Sequence, residues 1–159
     1  DLGTLLGGAF SRANGINNSG QVVGIAATAG GQNHAFLYSG GAMQDLGTLG
    51  GTNSQAQGIN NSGKVVGYGT TAGGQNHAFL YSGGGSIQDL NSLIDPLSGW
   101  TLDVAQGVND AGQIVGYGEI NGQTHAFLLT PVPEPTTLGL GALGGFALLT
   151  MKRRRKIAQ

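Results

Sequence analysis

Fourteen residues, TAGGQNHAFLYSGG, occur twice without a change, at Thr28–Gly41 and at Thr71–Gly84. Asp-Leu pairs that open each stretch lie at Asp1, Asp45 and Asp89, a period of 44 kept twice. Self-similarity at such a period is the signature of propellers and solenoids, whose units bury their apolar faces against neighbouring units. The chain therefore divides into three repeats, residues 1–44, 45–88 and 89–130. The third is the loosest copy. Its stretch IDPLSGWTLDVA, from Ile94, lengthens the first connection and predicts a longer surface loop.

Each repeat reads as four strands, taken in the second copy as about Gln55–Asn60, Lys64–Gly69, His77–Tyr81 and Ile87–Leu90. Asn60-Asn61-Ser62-Gly63 joins the first two, matched by Asn17-Asn18-Ser19-Gly20 and Asn109-Asp110-Ala111-Gly112. Asn and Asp favour turns, and a final Gly supplies the positive φ of a type I turn with a G1 bulge. A sheet wet on one side would alternate apolar with polar residues. Val65-Val66 and Ala78-Phe79-Leu80-Tyr81 instead place apolar groups on both faces. Both faces must then be covered, which stacked repeats achieve and a lone repeat does not. Gly67 and Gly69 are expected to let adjacent sheets approach closely.

The expected fold is all-β: four-stranded antiparallel repeats stacked as a β-propeller, complete or partial, or as a β-solenoid, plus one C-terminal hydrophobic helix. A propeller is favoured, because four antiparallel strands in about 44 residues make one blade. In that reading Asp1–Leu5 is a fourth strand able to complete the last blade. Three blades fall short of the four to eight of known propellers. The chain also opens within a repeat at Asp1 rather than at Met, so an upstream portion is the first expectation, with two chains combining or an open array as the alternatives.

Glycine makes up 32 of 159 residues, in keeping with short strands joined by tight turns. Charged residues are only 9%. Ahead of Lys152 there are two cations, Arg12 and Lys64, against eight acidic residues, a net of −6. Nucleic-acid binding needs a basic face, so it is excluded as a function of the repeats. With no cysteine, disulfides, thiolate nucleophiles and Cys-ligated metals are excluded as well.

His34, His77 and His125 each open a His-Ala-Phe-Leu motif. None has a second ligand residue at metal spacing, and each is expected to bond a backbone group of the adjacent loop. Asp1 and Asp45 lack the closely spaced oxygens that calcium requires and read as caps of neighbouring N–H groups. Gly-rich runs such as Thr28–Gly31 precede neither a helix nor Gly-Lys-Ser/Thr, so they are not phosphate loops. Asn17-Asn18-Ser19 and Asn60-Asn61-Ser62 match a glycosylation acceptor, but hairpin chemistry explains both. Features that recur in every copy are most simply scaffold. The Asp95–Trp100 loop alone breaks the pattern, with Trp100 either an exposed binding aromatic or buried against the loop. No catalytic, cofactor-binding or metal residues are expected.

From Pro131 the pattern changes. Residues 131–137 form a stiff linker carrying Pro131, Pro133 and Pro135. Residues 138–151 are uncharged and predict a hydrophobic membrane helix of marginal length. Residues 152–159 form a cytoplasmic tail with the cluster Lys152, Arg153, Arg154, Arg155 and Lys156, so the repeats would face outward. Pro133-Glu134-Pro135, the apolar segment and the terminal basic cluster together resemble a PEP-CTERM sorting signal. That resemblance implies export, passage through the inner membrane and recognition by an exosortase, an integral membrane cysteine protease. It also implies a place at the cell surface or in an exopolysaccharide or biofilm matrix. The upstream units, with His-Ala-Phe-Leu and Asp-Leu-Gly-Thr-Leu, resemble HAF repeats, and no enzymatic activity follows from that likeness. The expected function is that of a non-enzymatic matrix or adhesion protein with extracellular polysaccharide as its partner. The alternative is an exported glycan-active enzyme with its site on a propeller face, favoured by any paired-carboxylate cleft.

Overall fold

The computed structural model describes residues 1–133 and, for the backbone alone, residues 149–151. Three separate four-stranded antiparallel sheets follow one another along the chain. The first holds β1 (Ser11–Ile16), β2 (Val22–Ala27), β3 (Asn33–Ser39) and β4 (Ala42–Asp45). The second holds β5 (Gly50–Ile59), β6 (Val65–Thr71), β7 (Asn76–Tyr81) and β8 (Gln88–Asp89). The third holds β9 (Trp100–Val108), β10 (Ile114–Ile120), β11 (Gln123–Pro131) and β12 (Leu149–Met151). None of the three sheets closes on itself.

The β5–β6 hairpin forms as its sequence predicts. The Asn60 N–H donates to Lys64 O at 3.0 Å, the Gly63 N–H donates to Asn60 O at 3.1 Å, and Gly63 has φ +80°. In all three repeats the register of the first strand jumps by one residue just before this turn, leaving Asn14, Gln57 and Gln106 as the extra residues of a bulge.

The two-faced apolar pattern dictates the packing. Val65 and Phe79, both fully buried, meet Val23, Ala35 and Leu37 of the first sheet in one cluster. Val66 and Ala78 point the opposite way and meet Leu102, Ala105, Ile114 and Phe127 of the third. Phe36 is covered by Leu5 of the opening segment. The middle sheet is thus buried on both sides by its own kin.

Four expectations need correction. Gly67 does not serve contact between sheets: a Cβ there would strike Gln55 O of its own sheet at 2.0 Å and the Phe79 ring at 2.9 Å. Gly58 does serve such contact: its Cβ would meet Gln106 O at 3.1 Å and Gly107 Cα at 3.3 Å. The lengthened connection of the third repeat is more than a surface loop. It forms two short 3-10 turns, Leu90–Leu93 and Pro96–Ser98, and its Leu93 and Ile94 enter the core between the second and third sheets.

The remaining two concern the ends. Asp1–Leu5 forms no strand and closes no ring; Leu5 is instead a core plug. The fourth place in the third sheet belongs to Leu149–Met151, paired with Leu129–Pro131. These three residues were expected at the end of a hydrophobic helix. Residues 138–148 lie outside the described residues, and no helix among the described residues is long and apolar enough to cross a membrane. The physical reason for the strand is that β11 would otherwise present an unpaired edge, because the third repeat supplies no fourth strand before the linker.

Positions on a buried and on an outer sheet face should respond differently to truncation. Phe79→Ala is expected to cost about 3–5 kcal/mol, and Leu128→Ala, on the outer face of the third sheet, under about 0.5 kcal/mol. Chemical denaturation of the two variants checks this.

Candidate binding cleft between the second and third repeats

The histidines pair with carboxylates rather than with backbone. His34 Nδ1 lies 2.8 Å from Asp45 Oδ2, and His77 Nδ1 lies 2.6 Å from Asp89 Oδ2. The other oxygen of each aspartate caps the turn that opens the next repeat. Asp45 Oδ1 accepts from the Gly47 N–H at 2.8 Å, and Asp89 Oδ1 accepts from the Asn91 N–H at 2.8 Å. Asp1 caps Gly3 in the same way at 2.9 Å. Each pair ties the third strand of one repeat to the start of the next. His125 is exposed, and no aspartate follows it in the sequence. The three histidines are therefore separate, and no metal-ligand cluster exists among the described residues.

His77 also borders a cleft of about 570 Å³ at the junction of the second and third repeats. Gln75, Asn76 and His77 form one wall; Thr101, Asp103, Val104, Tyr117 and Glu119 form the other. The placement of Asp103 follows from backbone irregularity. Leu102 pairs with Gly118 and Val104 with Tyr117, so Asp103 is the extra residue of a second bulge in β9. Bulges re-aim side chains and recur beside functional sites. Burial pushes the Asp103 carboxyl above the usual carboxylate range; the Glu119 charge adds to the rise and His77 opposes it.

Trp100, the aromatic singled out by the sequence, is half-buried and meets Phe127 edge-on at 6.5 Å and 83°. It supports the core beside the cleft. Of the sorting residues, Pro133 is exposed, whereas Glu134, Pro135, Lys152, Arg153, Arg154, Arg155 and Lys156 lie outside the described residues. Asp103 and Glu119 were missed by sequence reasoning. A signal was present: Glu119 occupies the position that Thr70 holds in the second copy, in a chain with very few charges.

Comparison with known proteins bears on the tail. Residues 131–156 match the PEP-CTERM protein-sorting motif. The match supports the C-terminal exosortase signal and suggests an exported protein that an exosortase sorts and processes during membrane transit. No curated protein and no solved structure matches the chain.

Because its folded-state pKa is raised, ionised Asp103 costs stability above that pKa, and the cost vanishes as pH falls below the ordinary carboxylate value. Asp103→Asn should therefore raise the melting temperature at pH 7. The gain should fade on acidification, as scanning calorimetry across pH 3–7 would show.

Proposed function

We propose that this chain is a non-enzymatic β-repeat scaffold, exported through its C-terminal signal to the cell surface or surrounding matrix, where it acts in biofilm or adhesion by binding polysaccharide. The observation that carries the reading is the sorting motif directly behind a stacked, charge-poor array. The array is read as part of a propeller or solenoid built from HAF-type repeats. Its cleft offers amide, hydroxyl, imidazole and carboxylate groups beside the half-exposed ring of Tyr117, a set suited to polyhydroxylated ligands.

The glycan-active enzyme is kept as a second reading on one observation. Asp103 and Glu119 line a single cleft, and the Glu119 charge adds to the rise of the Asp103 carboxyl. Two carboxyl groups flanking one site are the donor set of glycoside hydrolysis.

Three measurements test these readings. Deleting Pro133–Gln159 should release the repeats from the inner-membrane fraction of an exosortase-bearing host; unchanged fractionation would refute sorting by the tail. Affinity electrophoresis through exopolysaccharide should show retardation that Tyr117→Ala weakens. Release of reducing ends that disappears in Asp103→Asn would decide for the enzyme.

A further inference from the structure

The interfaces between repeats are polar as well as apolar, and their polar part is directional. Asn17 Nδ2 donates to Asn60 O at 3.0 Å, and Asn60 Nδ2 donates to Asn109 O at 2.9 Å. Beside this line, the Asn18 N–H donates to Asn61 Oδ1 at 3.0 Å and the Asn61 N–H donates to Asp110 Oδ1 at 2.8 Å. Every rung runs from the turn of one repeat to the turn of the next. The ladder therefore ends in donors at the third repeat, Asn109 Nδ2 and the Asp110 N–H. It begins with acceptors at the first, Asn17 O and Asn18 Oδ1.

The apolar surfaces at the two ends match in the same sense. Val115 is 48% exposed, whereas its counterpart Val66 is fully buried by the following repeat; Leu128 is 41% exposed, whereas its counterpart Leu80 is half-buried against that repeat. At the other end, Ile16 is 69% exposed and Ala13 is exposed, whereas Ala56 and Ala105 at the equivalent position are fully buried by the preceding repeat.

A glycine supplies an independent sign. Gly15 and Gly58 each lack a Cβ that would press on the bulge of the next repeat, at 3.4 Å from Gln57 O and 3.1 Å from Gln106 O respectively. Gly107 holds the same position in the third repeat, yet a Cβ there would meet only Val115 Cγ2 of its own sheet, at 3.4 Å. The space it leaves has no use among the described residues.

We propose that the outer face of the third sheet receives the first repeat of a second copy of this chain, reproducing the internal interface between chains. Val115, Ala126 and Leu128 take Ala13 and Ile16 of the second copy, and Asn109 and Asp110 extend the ladder to its Asn17 and Asn18. The contact is heterologous, so repetition gives a filament or a closed ring of chains.

The chain has no cysteine, which makes crosslinking clean. The full chain carrying Asn18→Cys and Asp110→Cys should form disulfide-linked dimers and higher rungs under oxidising conditions. Adding Gly107→Leu should abolish them while circular dichroism shows the same strand content. In sedimentation, the otherwise unaltered chain should exceed its 16.0 kDa monomer mass as concentration rises, and Gly107→Leu should not. Three results would overturn the proposal: a monomer at every concentration, an 18–110 disulfide within one chain, or association that survives Gly107→Leu, as attraction between apolar tails would.

Discussion

A β-sheet with apolar side chains on both faces has no surface it can leave in water, and this constraint governs the whole repeat region. Val65 and Val66 are neighbours on one strand, so they point to opposite sides, and both are fully buried. Phe79 is buried against the first sheet while Ala78 is buried against the third. The clusters that hold the protein together thus lie between repeats rather than within them. Stability of this kind is shared among nearest neighbours.

Hydrophobic contact is non-directional and alone would let stacked sheets slide over one another. Polar contacts between the sheets prevent that. The buried Asn60 side chain holds its own turn through Oδ1, which accepts from Ser62 and Lys64, and reaches the next repeat through Nδ2. Ser54 does similar work elsewhere, accepting from the Ala35 N–H at 2.8 Å across the first junction. The His34–Asp45 and His77–Asp89 pairs fasten successive repeats along the chain. Repeated residues are therefore largely structural, while the cleft arises where the third copy departs from the pattern.

Much of this was legible in the residues. The NNSG and NDAG turns announced their hairpins, because few four-residue strings satisfy that backbone. Adjacent apolar residues announced burial on both sides. What escaped were features set by distant partners. The pairing of His77 with Asp89 requires the register of the third and fourth strands, which sets Asp89 opposite Phe79 and which turn residues alone do not give. The second bulge in β9 depends on fitting an altered copy onto an unaltered hairpin, so Asp103 carried no local mark. Leu149–Met151 read as the end of an apolar helix because periodicity records side chains, not an edge in need of a partner.

The central claim, that these sheets are solid only when sandwiched, is tested most directly on the segment Asp45–Gln88 made as an isolated peptide. Circular dichroism and amide exchange in dilute solution should show an unfolded, unprotected chain. A monomeric peptide that melts cooperatively, with protected amides in β6 and β7, would contradict the account.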